Sequence, residues 1–290
     1  MNKLLGLMVL LMLMLSAAYA ETETEILDPP EGFDAKIEGI TYGRTLLRSY
    51  LSATTGRTRK VMILLPPDYS EEKQYPVLYL LHGIGGDENE WAGGRPTWVL
   101  GNLIAKGEAR EMIVVMPNIR ARANDKANAS DMYQPSHFEA FDNFINDLRD
   151  DLMPYMAEHF SIAPGRENTA IAGLSMGGRE ALYIGLTMPE TFGYVGAFCP
   201  APGVLPYNVE KGLFQPEDFR AADGLDTYIL INAGTSDGVV GAWPQTYADT
   251  LTRNGTANTF YVTRGGHDFT VWKHGLYNFA RNIFGGAADE

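Results

Sequence analysis

From residue 77 onward, short apolar runs alternate with stretches of helical period. The runs are 77–81, 112–116, 170–172, 194–198, 227–231 and 260–262, each short enough for a strand. Between them the clearest helical stretch sets Phe141, Phe144, Ile145, Leu148, Leu152 and Met156 on one face, with Asp147, Arg149, Asp150 and Asp151 largely outside it. Further helices are predicted to begin near Thr97, Met176, Ala242 and Val271. Ahead of this region, β-type runs at 40–51 and 60–65 flank Thr54-Thr55-Gly56-Arg57, which predicts a hairpin. Strands that are apolar throughout and separated by helices imply an α/β fold with a mostly parallel sheet covered on both faces.

The two ends change this picture. Met1 to Ala20 carries Lys3, an unbroken apolar run from Leu4 to Leu15, then Ala18-Tyr19-Ala20, the pattern of a secretory signal peptide cut after Ala20. The run is shorter than the roughly 20 residues of a spanning helix, so the expectation is an exported, soluble protein, secreted or periplasmic. Residues 21–35 are acidic at first, contain Pro29-Pro30, and are expected to form a poorly ordered leader. A single domain is expected over 36–290, since 45% hydrophobic residues supply a sizeable core. The net charge of −13 argues against nucleic acid and anionic membranes as partners. With Cys199 the only cysteine, an intrachain disulfide and cysteine-based zinc sites are excluded, and Cys199 itself reads as a small buried residue at a strand end. The oligomeric state is not legible.

Candidate chemistry centres on Ala170-Ile171-Ala172-Gly173-Leu174-Ser175-Met176-Gly177-Gly178, a strand joined to a helix through Gly-x-Ser-x-Gly. This is the pattern of a nucleophile elbow, in which a Cβ at either glycine would strike the adjoining strand or helix. Ser175 is the candidate nucleophile, and the Met176 amide a candidate oxyanion donor. The second donor is expected in His82-Gly83-Ile84-Gly85-Gly86 after the run 77–81, with the Ile84 amide chosen and His82 given a structural role. A serine hydroxyl needs a base, and the base needs an acid, in the chain order Ser, Asp or Glu, His. His267 follows the run 260–262 on a glycine-rich loop, whereas His274 falls inside the last helix. Among Glu190, Glu217, Asp218, Asp226, Asp237 and Asp249, only Asp237 lies just beyond the carboxyl end of a predicted strand, and Asp268 reads as a helix cap.

These segments resemble the family-1 carbohydrate esterases, which include feruloyl and acetylxylan esterases, within the esterase D type of α/β-hydrolase. The resemblance rests on Tyr79-Leu80-Leu81-His82-Gly83-Ile84-Gly85-Gly86 with Glu90-Trp91, on 171–178, on Gly234-Thr235-Ser236-Asp237, and on Gly265-Gly266-His267-Asp268-Phe269 with Val271-Trp272-Lys273. It covers the chain from about Arg59 onward, and the last segment is similar to feruloyl esterase modules attached to bacterial xylanases. It implies an α/β-hydrolase fold with Ser175, Asp237 and His267 as nucleophile, acid and base, and no metal or organic cofactor. It further implies hydrolysis of ester side groups on plant cell-wall polysaccharide, foremost feruloyl esters on arabinoxylan.

An aromatic acyl group needs an apolar slot, and Trp91, Tyr133, Trp243 and Trp272 are candidates to line it, though each also fits a core position. The long polar stretch 118–136 and the stretch 200–218 are expected to shape the pocket. Acetyl or siderophore esters, acyl transfer to a sugar, peptide hydrolysis, or a non-catalytic glycan-binding role remain as alternatives.

Overall fold

The computed structural model describes residues 25–127, 130–208 and 211–285. The expected signal peptide lies outside the described residues. Among them, no helix is long and apolar enough to cross a membrane.

Eight strands form one sheet in the order β1-β2-β4-β3-β5-β6-β7-β8. The hairpin of β1 (Arg44–Ser52) and β2 (Arg57–Leu65) is antiparallel, and β2 meets β4 (Ile113–Pro117) antiparallel. All other pairings are parallel: β3 (Val77–Leu81) with β4 and β5 (Thr169–Leu174), then β6 (Tyr194–Phe198), β7 (Tyr228–Gly234) and β8 (Thr259–Thr263). Every residue of β3 and β4 is buried, as parallel strands covered on both faces require. The predicted α/β fold is present, and the strand at 40–51 is shorter than expected. Tyr42 instead turns its hydroxyl to Asn102 and takes the Ile37 amide.

The helices are α1 (Pro96–Ala105), α2 (Pro135–Asp142), α3 (Phe144–Asp147), α4 (Met153–His159), α5 (Met176–Thr187), α6 (Trp243–Arg253) and α7 (Phe269–Asn282). Alternation along β6 sorts two of them. Val195 faces Gly185 of α5, whereas Gly196 and Phe198 face Phe279 and Gly275 of α7, so these helices cover opposite faces.

The long amphipathic stretch is broken into α2, α3, a π turn at Leu148–Leu152 and α4. Pro154 in the first turn of α4 has no amide to continue the earlier ladder. The predicted apolar face is buried in full, but Asp147 is also 0% exposed, contrary to expectation. Its carboxylate accepts from Tyr50 Oη at 2.5 Å and pairs with Arg59 Nε at 3.3 Å. A buried guanidinium from β2 thus pulls one acidic residue inward out of an otherwise solvated row.

The described part of the leader, 25–35, is docked, which the acidic composition did not foretell. Asn278 of α7 takes the Leu27 amide and donates to the Leu27 carbonyl, each at 2.9 Å. Asn102 of α1 donates to the Phe33 and Ala35 carbonyls, and Asp34 pairs with Lys273. Two helices therefore satisfy the backbone of a segment with little secondary structure of its own.

The strand order reverses around β3: β4 lies on one side and β5 on the other. Connections from β3 and β5 diverge there, leaving a crevice at the carboxyl edge of the sheet. Leu81 of β3 is paired with Gly173 of β5, which sets the turn after β3 beside the turn after β5.

Candidate active site

Ser175 stands between β5 and α5 with φ 53° and ψ −117°, a left-handed-side conformation that a non-glycine residue holds only when its surroundings enforce it. Those surroundings are visible: the Ser175 amide donates to Phe198 O at 2.9 Å, and its carbonyl accepts from Arg179 N and Ala201 N, each at 3.0 Å. A Cβ at Gly173 would strike the Gly177 backbone, and one at Gly177 would strike the Leu81 and His82 carbonyls. The predicted need for glycine at both positions is thus met.

In-register pairing of β5, β6, β7 and β8 aligns their carboxyl ends. Asp237, just past β7, and His267, just past β8, are thereby brought to Ser175 from far along the chain. His267 Nε2 lies 2.9 Å from Ser175 Oγ, and His267 Nδ1 lies 2.8 Å from Asp237 Oδ2. Asp237 Oδ1 accepts from the Val239 and Val240 amides at 2.9 and 3.1 Å. Burial alone would raise this carboxyl; the bonds from His267 and the two amides outweigh it and hold the group below its ordinary value. An ionised Asp237 can only accept, so Nδ1 carries the imidazole proton and Nε2 is left to accept from the Ser175 hydroxyl.

The turn after β3 is pinned at successive peptides. The Ile119 amide donates to His82 Nε2 at 2.8 Å, so His82 Nδ1 carries the proton and donates to Gly83 O at 2.6 Å. Gly86 N also donates to Gly83 O, at 3.1 Å. Burial, aided by nearby Arg120, pushes His82 down to about 3, so this imidazole stays neutral. In a trans peptide the N–H points opposite to the C=O, so fixing Gly83 O turns the Ile84 N–H the other way. Among the described residues, neither the Ile84 amide nor the Met176 amide donates to a protein acceptor. The Ile84 carbonyl is held by His137 Nε2 at 3.1 Å and Arg120 Nη1 at 3.4 Å.

The Esterase family model matches residues 52–282. The chain belongs to the esterase family. Its fold is shared with a CE1 ferulic acid esterase of Anaeromyces mucronatus, solved in complex with ferulic acid: TM-score 0.83, 39% identity, covering 88% of this chain and 96% of that one. An endo-1,4-beta-xylanase/feruloyl esterase of Xylanibacter ruminicola is 29% identical over 91% of this chain. This chain spans 34% of the length of that relative. An acetyl esterase of Caldicellulosiruptor saccharolyticus is 24% identical over 81% of this chain and 85% of its own length. The esterase is therefore of the family-1 carbohydrate esterase kind, in a group of carboxylic ester hydrolases.

The four aromatic candidates for the pocket separate. Trp91 is 1% exposed, and its indole donates to Leu81 O at 2.9 Å, so it is a core residue under β3 and not a pocket wall. Trp272 is also buried, and its ring stands edge-on to His267 at 5.1 Å between centroids, where it supports the imidazole. Tyr133 is 75% exposed, beside Met132, which faces Gly85 of the turn. Trp243 is half-buried between Tyr247 and Tyr207, the latter partly exposed. The stretch 118–136 divides likewise: residues 118–121 are buried beneath the turn, and α2 has begun by Pro135.

Asp268 caps α7 by accepting from Thr270 N at 2.8 Å, and His274 lies in α7 facing Tyr261, Asp28 and Asn278, both as expected. Cys199 is fully buried as expected, yet its surroundings were not foreseen. Its sulfur, an Asp237 oxygen and a His267 nitrogen lie within 4.8 Å of one another. Burial, reinforced by the Asp237 charge, pushes the thiol up. A protonated thiol beside a carboxylate and imidazole already committed to each other makes a poor metal site.

Proposed function

We propose that this chain is an exported serine carboxylesterase that removes feruloyl groups from arabinoxylan of plant cell walls, with Ser175 as nucleophile, His267 as base and Asp237 as acid. The hydrogen-bonded chain Ser175 Oγ to His267 Nε2 and His267 Nδ1 to Asp237 carries the reading. Its substrate rests on similarity to the Anaeromyces mucronatus ferulic acid esterase. Residues 1–20 act as the export signal, and 36–290 make up one esterase domain.

Ser175 Oγ attacks the ester carbonyl while His267 Nε2 takes its proton. The Ile84 and Met176 amides, free of protein acceptors among the described residues, receive the oxyanion, each lowering the barrier by roughly 3 kcal/mol. Collapse breaks the bond to the sugar oxygen, which takes the proton from Nε2 as the alcohol leaves. Water then attacks the acyl-enzyme, again giving its proton to Nε2, and the second collapse returns that proton to Ser175 and frees the acid. These steps need no metal or organic cofactor. Tyr133 and the Tyr207–Trp243 pair offer exposed aromatic surface for an aromatic acyl group and the sugar that bears it.

The test is acid release from methyl ferulate, feruloylated arabinoxylan and acetylated xylan by the wild type and Ser175→Ala. Ferulate release that disappears in the variant is the expected result. Release of acetate alone would move the substrate to small acyl groups, as in the acetyl esterase relative. No turnover of any ester, activated ones included, would overturn the enzymatic reading.

A further inference from the structure

Glu90 lies outside the triad and outside the pinned peptides described so far, yet it touches the same turn. Its Oε2 accepts from the Gly83 amide at 2.6 Å. The adjoining Trp91 fastens its indole to Leu81 O, so consecutive side chains of one short helical turn (Glu90–Gly94) grip the end of β3 and the turn that follows. Gly86 faces the Glu90 side chain so closely that a Cβ there would overlap its carboxylate. Gly83 itself lies against the nucleophile, since a Cβ placed on it would be 3.5 Å from Ser175 Cβ.

On this geometry, and on the proposed esterase mechanism, we infer that Glu90 is a positioning residue for the oxyanion turn: its carboxylate fixes the His82–Gly83 peptide and thereby the aim of the Ile84 amide at the developing oxyanion. The peptide before Ile84 has two ends to hold. His82 Nδ1 and Gly86 N hold its carbonyl, and Glu90 holds the amide of the residue that carries that carbonyl. With both held, rotation about Gly83, which has no side chain to restrict it, is suppressed. A carboxylate does this better than a neutral group because a charge-assisted bond is shorter and roughly twice as strong. Burial raises the Glu90 carboxyl, with Asp87 adding to the shift and the Gly83 amide, Arg120 and His267 opposing it. Glu90 does not touch the substrate and takes no proton in the reaction.

The effect belongs to the transition state. An oxyanion donor that is misaimed lowers kcat and leaves ester binding largely intact. Loss of one oxyanion donor lowers kcat about 100- to 1000-fold, so a donor that is loosened rather than lost predicts a fall of about 10- to 100-fold in Glu90→Ala. KM is expected to stay within about threefold. Glu90→Gln keeps an acceptor oxygen and is expected to recover most of the lost kcat. Gly86→Ala, which displaces the carboxylate without removing it, should reproduce the Glu90→Ala defect.

The experiment measures kcat and KM on a feruloyl ester for the wild type, Glu90→Ala, Glu90→Gln and Gly86→Ala, together with inhibition by an arylboronic acid, whose serine adduct places an anionic oxygen where the oxyanion forms. Boronate affinity falling in parallel with kcat in Glu90→Ala and Gly86→Ala, with recovery in Glu90→Gln, is the expected result. If Glu90→Ala does not fold, Gly86→Ala decides the matter by the same two readings. Unchanged kcat, or a fall in kcat with boronate affinity preserved, overturns the positioning role. An inactive wild type would instead fail the esterase reading itself.

Discussion

His82 and His267 both stand just past the carboxyl end of a strand on the same edge of the sheet, and they are chemically unlike. His82 is 1% exposed, and each of its nitrogens is committed to the backbone, one taking the Ile119 amide and the other donating to Gly83 O. His267 keeps 13% of its side chain exposed, and its accepting nitrogen faces a hydroxyl that can part with a proton. The behaviour of a histidine is thus set by what its lone pair meets. An amide N–H makes it a structural clamp; a serine hydroxyl, with a buried carboxylate behind the ring, fits it to the base role proposed for His267.

Breaking each histidine in turn should expose that difference. His267→Ala is expected to lower kcat by about 10⁴-fold or more with a smaller fall in the urea unfolding midpoint than His82→Ala, since the Asp237 carboxylate keeps the Val239 and Val240 amides and no buried backbone group loses its partner. His82→Ala should do the reverse in emphasis. It orphans the Ile119 amide and removes one of the donors to Gly83 O, so stability should fall by about 2–4 kcal/mol, read from urea unfolding, with a smaller loss of kcat. Equal effects of the two variants on both readings would erase the distinction.

Acidification sharpens the comparison. His82 is pushed down to about 3 in the fold from an ordinary 6.5, so the unfolded chain binds the proton first. Its contribution to stability is complete above 6.5 and is lost as pH falls toward 3, with a slope of at most about 1.4 kcal/mol per unit. Asp237, also held low, is lost in the same direction at more acid pH. Urea midpoints measured from pH 7 to pH 4 should fall less steeply in His82→Gln than in the wild type; parallel curves would contradict the assignment. The smallest effect is expected at Asp268, next to His267. Asp268→Ala removes a helix cap worth about 1 kcal/mol of stability and should leave kcat nearly unchanged, because Asp268 bonds Thr270 N and makes no bond to the His267 ring.

Legibility followed the range of the interaction. The elbow could be read because its requirement is local: glycines two residues either side of Ser175, where any Cβ would overlap the neighbouring backbone. Asp237 and His267 could be read at one remove, because a parallel sheet aligns its carboxyl ends and leaves few loops from which a partner can come. Trp91 and Trp272 could not be sorted from Tyr133 and Trp243. An indole has the same composition whether it donates to Leu81 O inside the fold or lines a cleft. Asp147 was misplaced for a related reason: its place in an acidic row said solvent, and Arg59, far off in the chain, said otherwise. The leader's acidity likewise concealed a backbone held by Asn102 and Asn278.

By itself the sequence determined the alternation of strands and helices, the strained serine between them and the order in which its partners follow. These depend on side-chain period and on steric exclusion over a few residues. Only the tertiary structure decided which backbone groups His82 holds, the Ile119 amide and the Gly83 carbonyl, and that Glu90 reaches the Gly83 amide. Hydrogen bonds between distant segments have no periodicity to read; they exist only once the strand order has brought their donors and acceptors within 3 Å or so of each other.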